Sequence, residues 1–351
     1  MSENNYLVEA CPLPIGQYDK IVMAHGGGGR LMQQLIDKLM LAEFDNDALN
    51  EKNDSAVVTI NNARLAFTTD SYVVKPLFFP GGDIGKLAVC GTLNDLAMSG
   101  ARPLFLSCSL IIEEGFAIDS LQKIIQSMSR QAKAAGVNIV TGDTKVVEKG
   151  KGDGLYINTS GIGVLDTPMN ISPTMLQHDD VVIINGDIGR HSIAIMAERE
   201  GFKLEQPLES DCADLSGLVK LLLDGGIEIH CMRDLTRGGL ATALIEISTT
   251  ANKQIMLEEA AIEVPAPVRG VCEVLGLDPY YVANEGRFIT VLPSTQAAQA
   301  LTIMHAHSLG KRAVVIGKVD ANSQAMVTLK NKIGTTRILE LLSGSQLPRI
   351  C

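Results

Sequence analysis

The sequence predicts a mixed α/β (α+β) fold in two domains. Its 351 residues exceed the roughly 100–200 of a single domain. Short β-like runs at 64–69, 103–112, 154–162, 181–185 and 288–292 alternate with helical periods. A turn-rich junction at 166–173, holding Pro168 and Pro173, separates halves of similar element content. This division gives a flexible leader (1–20), an N-terminal domain (21–167), a C-terminal domain (168–342) and a flexible tail (343–351).

The elements follow in order. His25-Gly26-Gly27-Gly28-Gly29-Arg30 precedes a helical stretch beginning near Leu31, so the loop would offer backbone N–H groups and a helix N-terminus to an anion. Taken alone, a glycine run is more often only a flexible loop. Residues 84–99 read as an apolar helix, and Leu121, Ile124, Ile125, Met128 and Ala132 sit at helical spacing after Asp119, a plausible cap. Leu215, Leu218, Val219 and Leu222 repeat that pattern after Asp214. Arg233-Asp234-Leu235-Thr236-Arg237-Gly238-Gly239-Leu240 runs from a strand-like segment into a helix, with arginines where phosphates would dock. Ala283-Asn284-Glu285-Gly286 is a turn that places a carboxylate before the next strand.

Composition narrows the function. A formal charge of -10, with no basic cluster among aromatics, opposes nucleic-acid binding. Trp is absent and aromatics are 4%, too few for a base-stacking platform. No apolar run is long enough to cross a bilayer and no signal-like start appears, which predicts a cytoplasmic chain. The seven cysteines, an odd number without a C-x-x-C pair, suit reduced thiols better than disulfides or a closed zinc site. No G-x-x-x-x-G-K-[ST] motif supports a Walker-type ATPase.

Four aspartates concentrate the chemistry: Asp54, Asp70, Asp95 and Asp143. Any one of them is as readily a cap or turn residue. Asp95 resists that explanation, because it lies inside the apolar helical stretch. Like charges about 4 Å apart repel by roughly 1 kcal/mol in water and about 4 at an effective dielectric of 20. A convergent set would therefore want a cation, and oxygen ligands of this kind select Mg²⁺, which keeps waters and binds phosphates.

The chain closes on Leu347-Pro348-Arg349-Ile350-Cys351. Pro348 restricts its neighbours and Ser343-Gly344-Ser345 offers a hinge, so Cys351 is expected to swing. A thiol so placed can be a substrate as easily as a catalyst. An accidental cysteine on a frayed end is the plainer alternative.

Taken together, these segments resemble the carbamoyl dehydratase HypE family, hydrogenase maturation proteins in the superfamily of aminoimidazole ribonucleotide synthetase, selenophosphate synthetase and thiamine monophosphate kinase. The resemblance covers nearly the whole chain. It rests on His25-Gly26 and the following glycines, on 67–73 and 76–82, on Asn94-Asp95, Gly142-Asp143-Thr144-Lys145-Val146-Val147, Asp234-Leu235-Thr236-Arg237-Gly238-Gly239 and Ala283-Asn284-Glu285-Gly286, and on the closing Pro348-Arg349-Ile350-Cys351. The aspartate turns are common to the superfamily, whereas the terminal motif separates this family from its relatives. Gly27 stands where the family often has serine, and Asn53 where the superfamily often has a second acid, which leaves the metal count open.

The resemblance implies an aminoimidazole ribonucleotide synthetase-like fold whose N-terminal sheets pair into a homodimer barrel, with ATP between the domains. It implies that Cys351 carries a carbamoyl group delivered by the carbamoyltransferase HypF, and that ATP-driven dehydration leaves an S-cyano group for hydrogenase iron, with a HypC-HypD iron scaffold as a further partner. Mg²⁺ would sit on Asp70, Asp95, Asp143 and Asp54. Lys145 would contact the transferring phosphate or carbamoyl oxygen, and Glu285 would accept a proton. His25, Gly26, Gly27, Gly28, Asp83, Asn94, Thr144 and Arg237 would serve the nucleotide. Two other readings remain open: a superfamily kinase acting on a diffusible substrate, which has no use for the tail, and a catalytically silent scaffold.

Overall fold

The computed structural model describes residues 20–342 apart from Asp45, Lys203 and Ser323. Cys351 and the rest of the expected tail lie outside the described residues. In the first half, α1 (Arg30–Leu35), α2 (Leu41–Phe44) and α3 (Asp47–Asn50) precede β1 (Ala56–Ile60) and β2 (Ala63–Tyr72). A ribbon of β3 (Phe78–Phe79) and β4 (Gly82–Asp83) leads into α4 (Ile84–Met98), then β5 (Arg102–Glu113), α5 (Ile118–Ala134), β6 (Asn138–Val147) and β7 (Leu155–Val164). The second half holds β8 (Asp180–Ile184), α6 (Arg190–Glu200), α7 (Ser216–Asp224), β9 (Cys231–Asp234), α8 (Gly239–Ala251), β10 (Gln254–Glu258), α9 (Ala266–Leu275), β11 (Phe288–Pro293), α10 (Ala297–Ala306), β12 (Val314–Val319), β13 (Met326–Lys330) and β14 (Thr336–Leu339).

Period-two burial builds the first sheet, ordered β1-β2-β7-β5-β6. Along β7 alternate residues from Leu155 to Gly163 are buried. The second sheet, ordered β14-β13-β10-β12-β8-β11-β9, centres on β8 and β11, whose apolar residues are almost continuously buried because helices cover both faces.

Helix α4 joins the halves. Thirteen of its fifteen residues are buried, so it is apolar on every side, as a helix sandwiched between layers must be. It packs on β2 and β7 and also on α7 and β9. Asp95 is thereby carried into the junction of the two domains.

Two expected caps differ. Helix α5 starts one residue before Asp119, with Ala117 at the cap position and Asp119 in the first turn. Asp214 accepts a hydrogen bond from Ser216 N, while Leu215 holds the cap position of α7. The five-stranded sheet is open within one chain, and its outer face exposes Phe67, Ile162 and Phe105, which lie opposite one another on β2, β7 and β5.

Candidate functional site

A cavity of about 470 Å³ opens between the first sheet, β9 and α8. Gly28 and Gln33 line its roof, Asp54, Thr68, Asp70 and Asp95 one wall, and Arg233, Asp234, Arg237, Glu246 and Glu285 the other. A second concavity of about 480 Å³, between 202–206 and α9, has a mainly apolar lining with a single carboxylate, Glu205. The converging charges belong to the first.

Each acid arrives from a different element. Asp54 precedes β1, Asp70 lies near the end of β2, Asp95 comes from α4 and Asp234 ends β9. Asp95 Oδ2 accepts from Thr68 Oγ1 at 2.8 Å, and Asp54 Oδ1 lies 3.0 Å from Arg233 Nε. The second oxygens of Asp54 and Asp234 are buried without a hydrogen-bond partner.

Burial and mutual repulsion act together on these groups. Burial, opposed by Arg233, pushes Asp54 up to about 6. Burial and the Asp54 charge push Asp234 up to about 8. Asp95 is driven well above the usual carboxylate range, first by burial and then by Asp234, Asp70 and Asp54. Glu285, 3% exposed, is likewise held well up, by burial first. Among the described residues no three acidic, histidine or cysteine side chains enclose an ion unaided. The orphaned oxygens of Asp54 and Asp234 nevertheless suit Mg²⁺, an ion that takes one or two carboxylates and completes its shell with water and phosphate.

The glycine loop closes the roof. Gly28, at φ +76°, lies so near the second arginine loop that an added Cβ would meet the Arg237 carbonyl carbon at 2.9 Å. His25 is buried in the turn before it, where its Nδ1 accepts from Val22 N at 3.0 Å. Gly26 and Gly27 lie outside the cavity lining. The first helical N–H, of Arg30, donates to the carbonyl of Leu342 at 2.9 Å.

Three expected residues do not converge here within one chain. Asp143, Thr144 and Lys145 stand on β6, an edge strand three strand-to-strand steps from β2, roughly 14 Å. The register row Asp70–Thr159–Cys108–Gly142 passes beside Asp143, which pairs with Ser109 on the opposite face. Lys145 Nζ contacts Asp143 at 3.1 Å, and both are largely exposed. The hydrogen bond from Lys145 lowers the Asp143 carboxyl below its usual range.

Two further candidates hold the scaffold. Asp83 caps α4, Oδ1 accepting from Gly85 N and Lys86 N, while Oδ2 accepts from Ser127 Oγ. Asn94 spends its amide across the domain boundary, donating to the carbonyls of Ala213 and Glu285 and accepting from Leu215 N. Asn94 is 2% exposed. Conversely, sequence reasoning gave no role to Asp234 or Glu246, and it read Arg233 as a phosphate-docking arginine, whereas its guanidinium is taken up by Asp54 and Glu246. An acid closing a strand ahead of the 236–239 turn was the available signal for Asp234.

Family models match the chain twice, as the AIR synthase related protein N-terminal domain at residues 52–165 and the corresponding C-terminal domain at 177–330. The carbamoyl dehydratase HypE of Azotobacter vinelandii is 46% identical over 331 residues, covering 94% of this chain and 97% of that protein. The solved HypE-HypF complex contains a chain 46% identical, with a TM-score of 0.82, covering 88% of this chain and 99% of that one. Hydrogenase maturation protein HypE in complex with ATP is 43% identical with a TM-score of 0.79, covering 95% of this chain and 100% of that one.

Proposed function

The chain belongs to the carbamoyl dehydratase HypE family, and on that premise we propose that it dehydrates a carbamoyl group carried on Cys351 to an S-cyano group at the expense of ATP, supplying cyanide for a [NiFe] hydrogenase. The observation that carries this reading is the hydrogen bond of Leu342 to Arg30 N. It sets Leu342, nine residues before Cys351 in the sequence, against the start of α1, between Gly28 and Gln33 of the cavity roof. Nine residues extend roughly 30 Å, enough to bring Cys351 back into the cavity of its own chain. A small-molecule kinase of the superfamily needs no such root.

The residues then divide the work. An amide oxygen leaves poorly, so phosphoryl transfer from ATP to the carbamoyl oxygen comes first. The phosphate then departs while the nitrogen releases its two protons, leaving C≡N on sulfur. Gly28 and Arg237 cradle phosphate at the roof. Asp54, Asp70, Asp95 and Asp234 would hold Mg²⁺, which offsets the phosphate charge and draws down the pKa of the acids around it. Glu285, whose carboxyl burial holds well above its usual range and so makes a stronger proton acceptor when ionised, is the group that takes up a nitrogen proton.

Asp143, Thr144 and Lys145 reach a nucleotide only from a second copy, which accords with a homodimer joined over the exposed face of the first sheet. The carbamoyl donor is a HypF-type carbamoyltransferase, as in the solved complex of a relative. A HypC-HypD iron scaffold would receive the product.

Intact mass spectrometry tests the reading, after incubation with carbamoyltransferase and carbamoyl phosphate, before and after Mg-ATP. One carbamoyl group should appear and then lose one water, and neither change should occur in Cys351→Ala. An unmodified Cys351 beside an active transferase overturns it.

A further inference from the structure

Arg233 occupies a position that the reaction does not explain. Its guanidinium reaches in three directions: Nε lies 3.0 Å from Asp54 Oδ1, Nη2 donates to Lys52 O at 2.7 Å, and Nη1 to Glu246 Oε2 at 3.2 Å. The other Glu246 oxygen accepts from Gln33 Nε2 at 2.9 Å. Gln33 belongs to α1 and lines the cavity roof. A continuous polar chain thus runs from an acid on the cavity wall through β9 and α8 to the helix above it.

The arrangement is largely shielded from water. The side chains of Arg233, Asp54 and Glu246 are 12%, 10% and 27% exposed. A charge here is felt more strongly than one at the surface. Asp54 Oδ2, the oxygen not engaged by Arg233 Nε, is buried with no hydrogen-bond partner. One carboxylate therefore offers one oxygen to a fixed cation and the other to an incoming one.

We propose that Arg233 is a positioning residue that couples divalent-cation binding at Asp54 to closure of α1 over the cavity. In the metal-free site the guanidinium fixes the aim of Asp54. A cation on Oδ2 withdraws charge from the shared carboxylate and weakens its bond to Arg233. The guanidinium then leans on Glu246, and Glu246 draws Gln33 and α1 down. No bond is made or broken covalently, and no proton is transferred. The inference rests on the metal–nucleotide reading of this cavity, and its test separates the two.

The test uses the full chain and Mn²⁺ as probe, with free Mn²⁺ followed by electron paramagnetic resonance without nucleotide, and hydrogen exchange of Arg30–Leu35 with and without Mg-ATP. Removing a fixed positive charge beside a cation site should tighten Mn²⁺ binding, so Arg233→Gln should bind about tenfold tighter. The same variant should lose the extra protection of α1 on adding Mg-ATP. Glu246→Gln keeps a partner for Gln33 but frees Arg233 to hold Asp54, and Mn²⁺ should bind several-fold more weakly. Arg233→Lys keeps the charge without the three-way reach: affinity should stay within about twofold while the protection is lost. A merely structural arginine predicts weaker Mn²⁺ binding in Arg233→Gln. That result, unchanged affinity, or α1 protection equal to the parent's in both Arg233 variants would overturn the coupling. A parent protein that binds no Mn²⁺ would overturn the metal reading itself and this inference with it.

Discussion

At the scale of single residues, the cavity is defined by carboxyls that the fold holds in an unfavourable state. Burial pushes Asp234 up to about 8 and Asp54 up to about 6, against 3.8 for a free aspartate side chain. The sign follows from proton uptake. Between about pH 4 and 8 the native state holds protons that the unfolded chain has released, so these groups erode stability as pH rises through that window. Asp234→Asn should therefore raise the melting temperature of the metal-free protein at pH 8 and raise it less at pH 5, near the foot of that window, with Mg²⁺ stabilising the parent more than the variant. Differential scanning calorimetry in both buffers checks this. At the roof, Gly28→Ala meets both a positive φ and the Arg237 backbone, whereas a Cβ on Gly26 meets nothing within 4 Å. Nucleotide affinity by calorimetry should fall about tenfold for the first substitution and stay near the parent's for the second. Asp95 was legible because a carboxylate inside an apolar helix is costly unless used, and Asp54 and Asp70 because they recur with it at element boundaries, although each alone passes for a cap or turn residue. Asp234 was not, since its neighbours Arg233 and Thr236 made the same segment read as a capped turn.

At the scale of elements, α4 shows what periodicity conveys and what it hides. Its span was readable from an apolar stretch at 84–99, and it forms as Ile84–Met98. Its burial on every side depends on which layers meet over it, a long-range outcome that a local pattern does not contain. For the same reason Asp83 and Asn94 resembled ligands. Both are polar residues flanking glycines and acids, and only the folded state shows that their hydrogen bonds are spent on Ser127 and on the backbone of 213–215 and 285. Asp83→Ala removes a cap and a half-buried acceptor and should cost about 2 kcal/mol in urea unfolding, with nucleotide binding retained. Asn94→Ala should cost about 2–3 kcal/mol by leaving buried backbone groups unpaired across the domain boundary. Strand β6 carries the opposite lesson. Asp143 and Lys145 are two apart and so share a face, but which face cannot be read until the register against β5 is known.

At the scale of the whole molecule, the outer surface of the first sheet carries a set of exposed apolar side chains. Phe67, Ile162 and Phe105 form a row, and Val140 on the edge strand is 59% exposed. Val140→Asp should convert a homodimer to monomer in light scattering, and should also lower ATP turnover if Asp143 and Lys145 act from the second copy. Two domains and their order were visible in the sequence because the 166–173 junction interrupts both patterns. The pairing of α1 with the second domain, through Gln33–Glu246 and Arg30–Leu342, was hidden because it joins residues more than 200 positions apart. That last contact has a kinetic meaning. On the proposed function, a carbamoyl group on Cys351, nine residues along the chain from Leu342, would meet the cavity at an effective concentration of roughly millimolar whatever the cellular abundance of the protein. The site then needs almost no affinity for the group it converts. At concentrations that keep the two copies together, turnover should follow first-order kinetics, and a free S-carbamoyl cysteine added in solution should compete poorly.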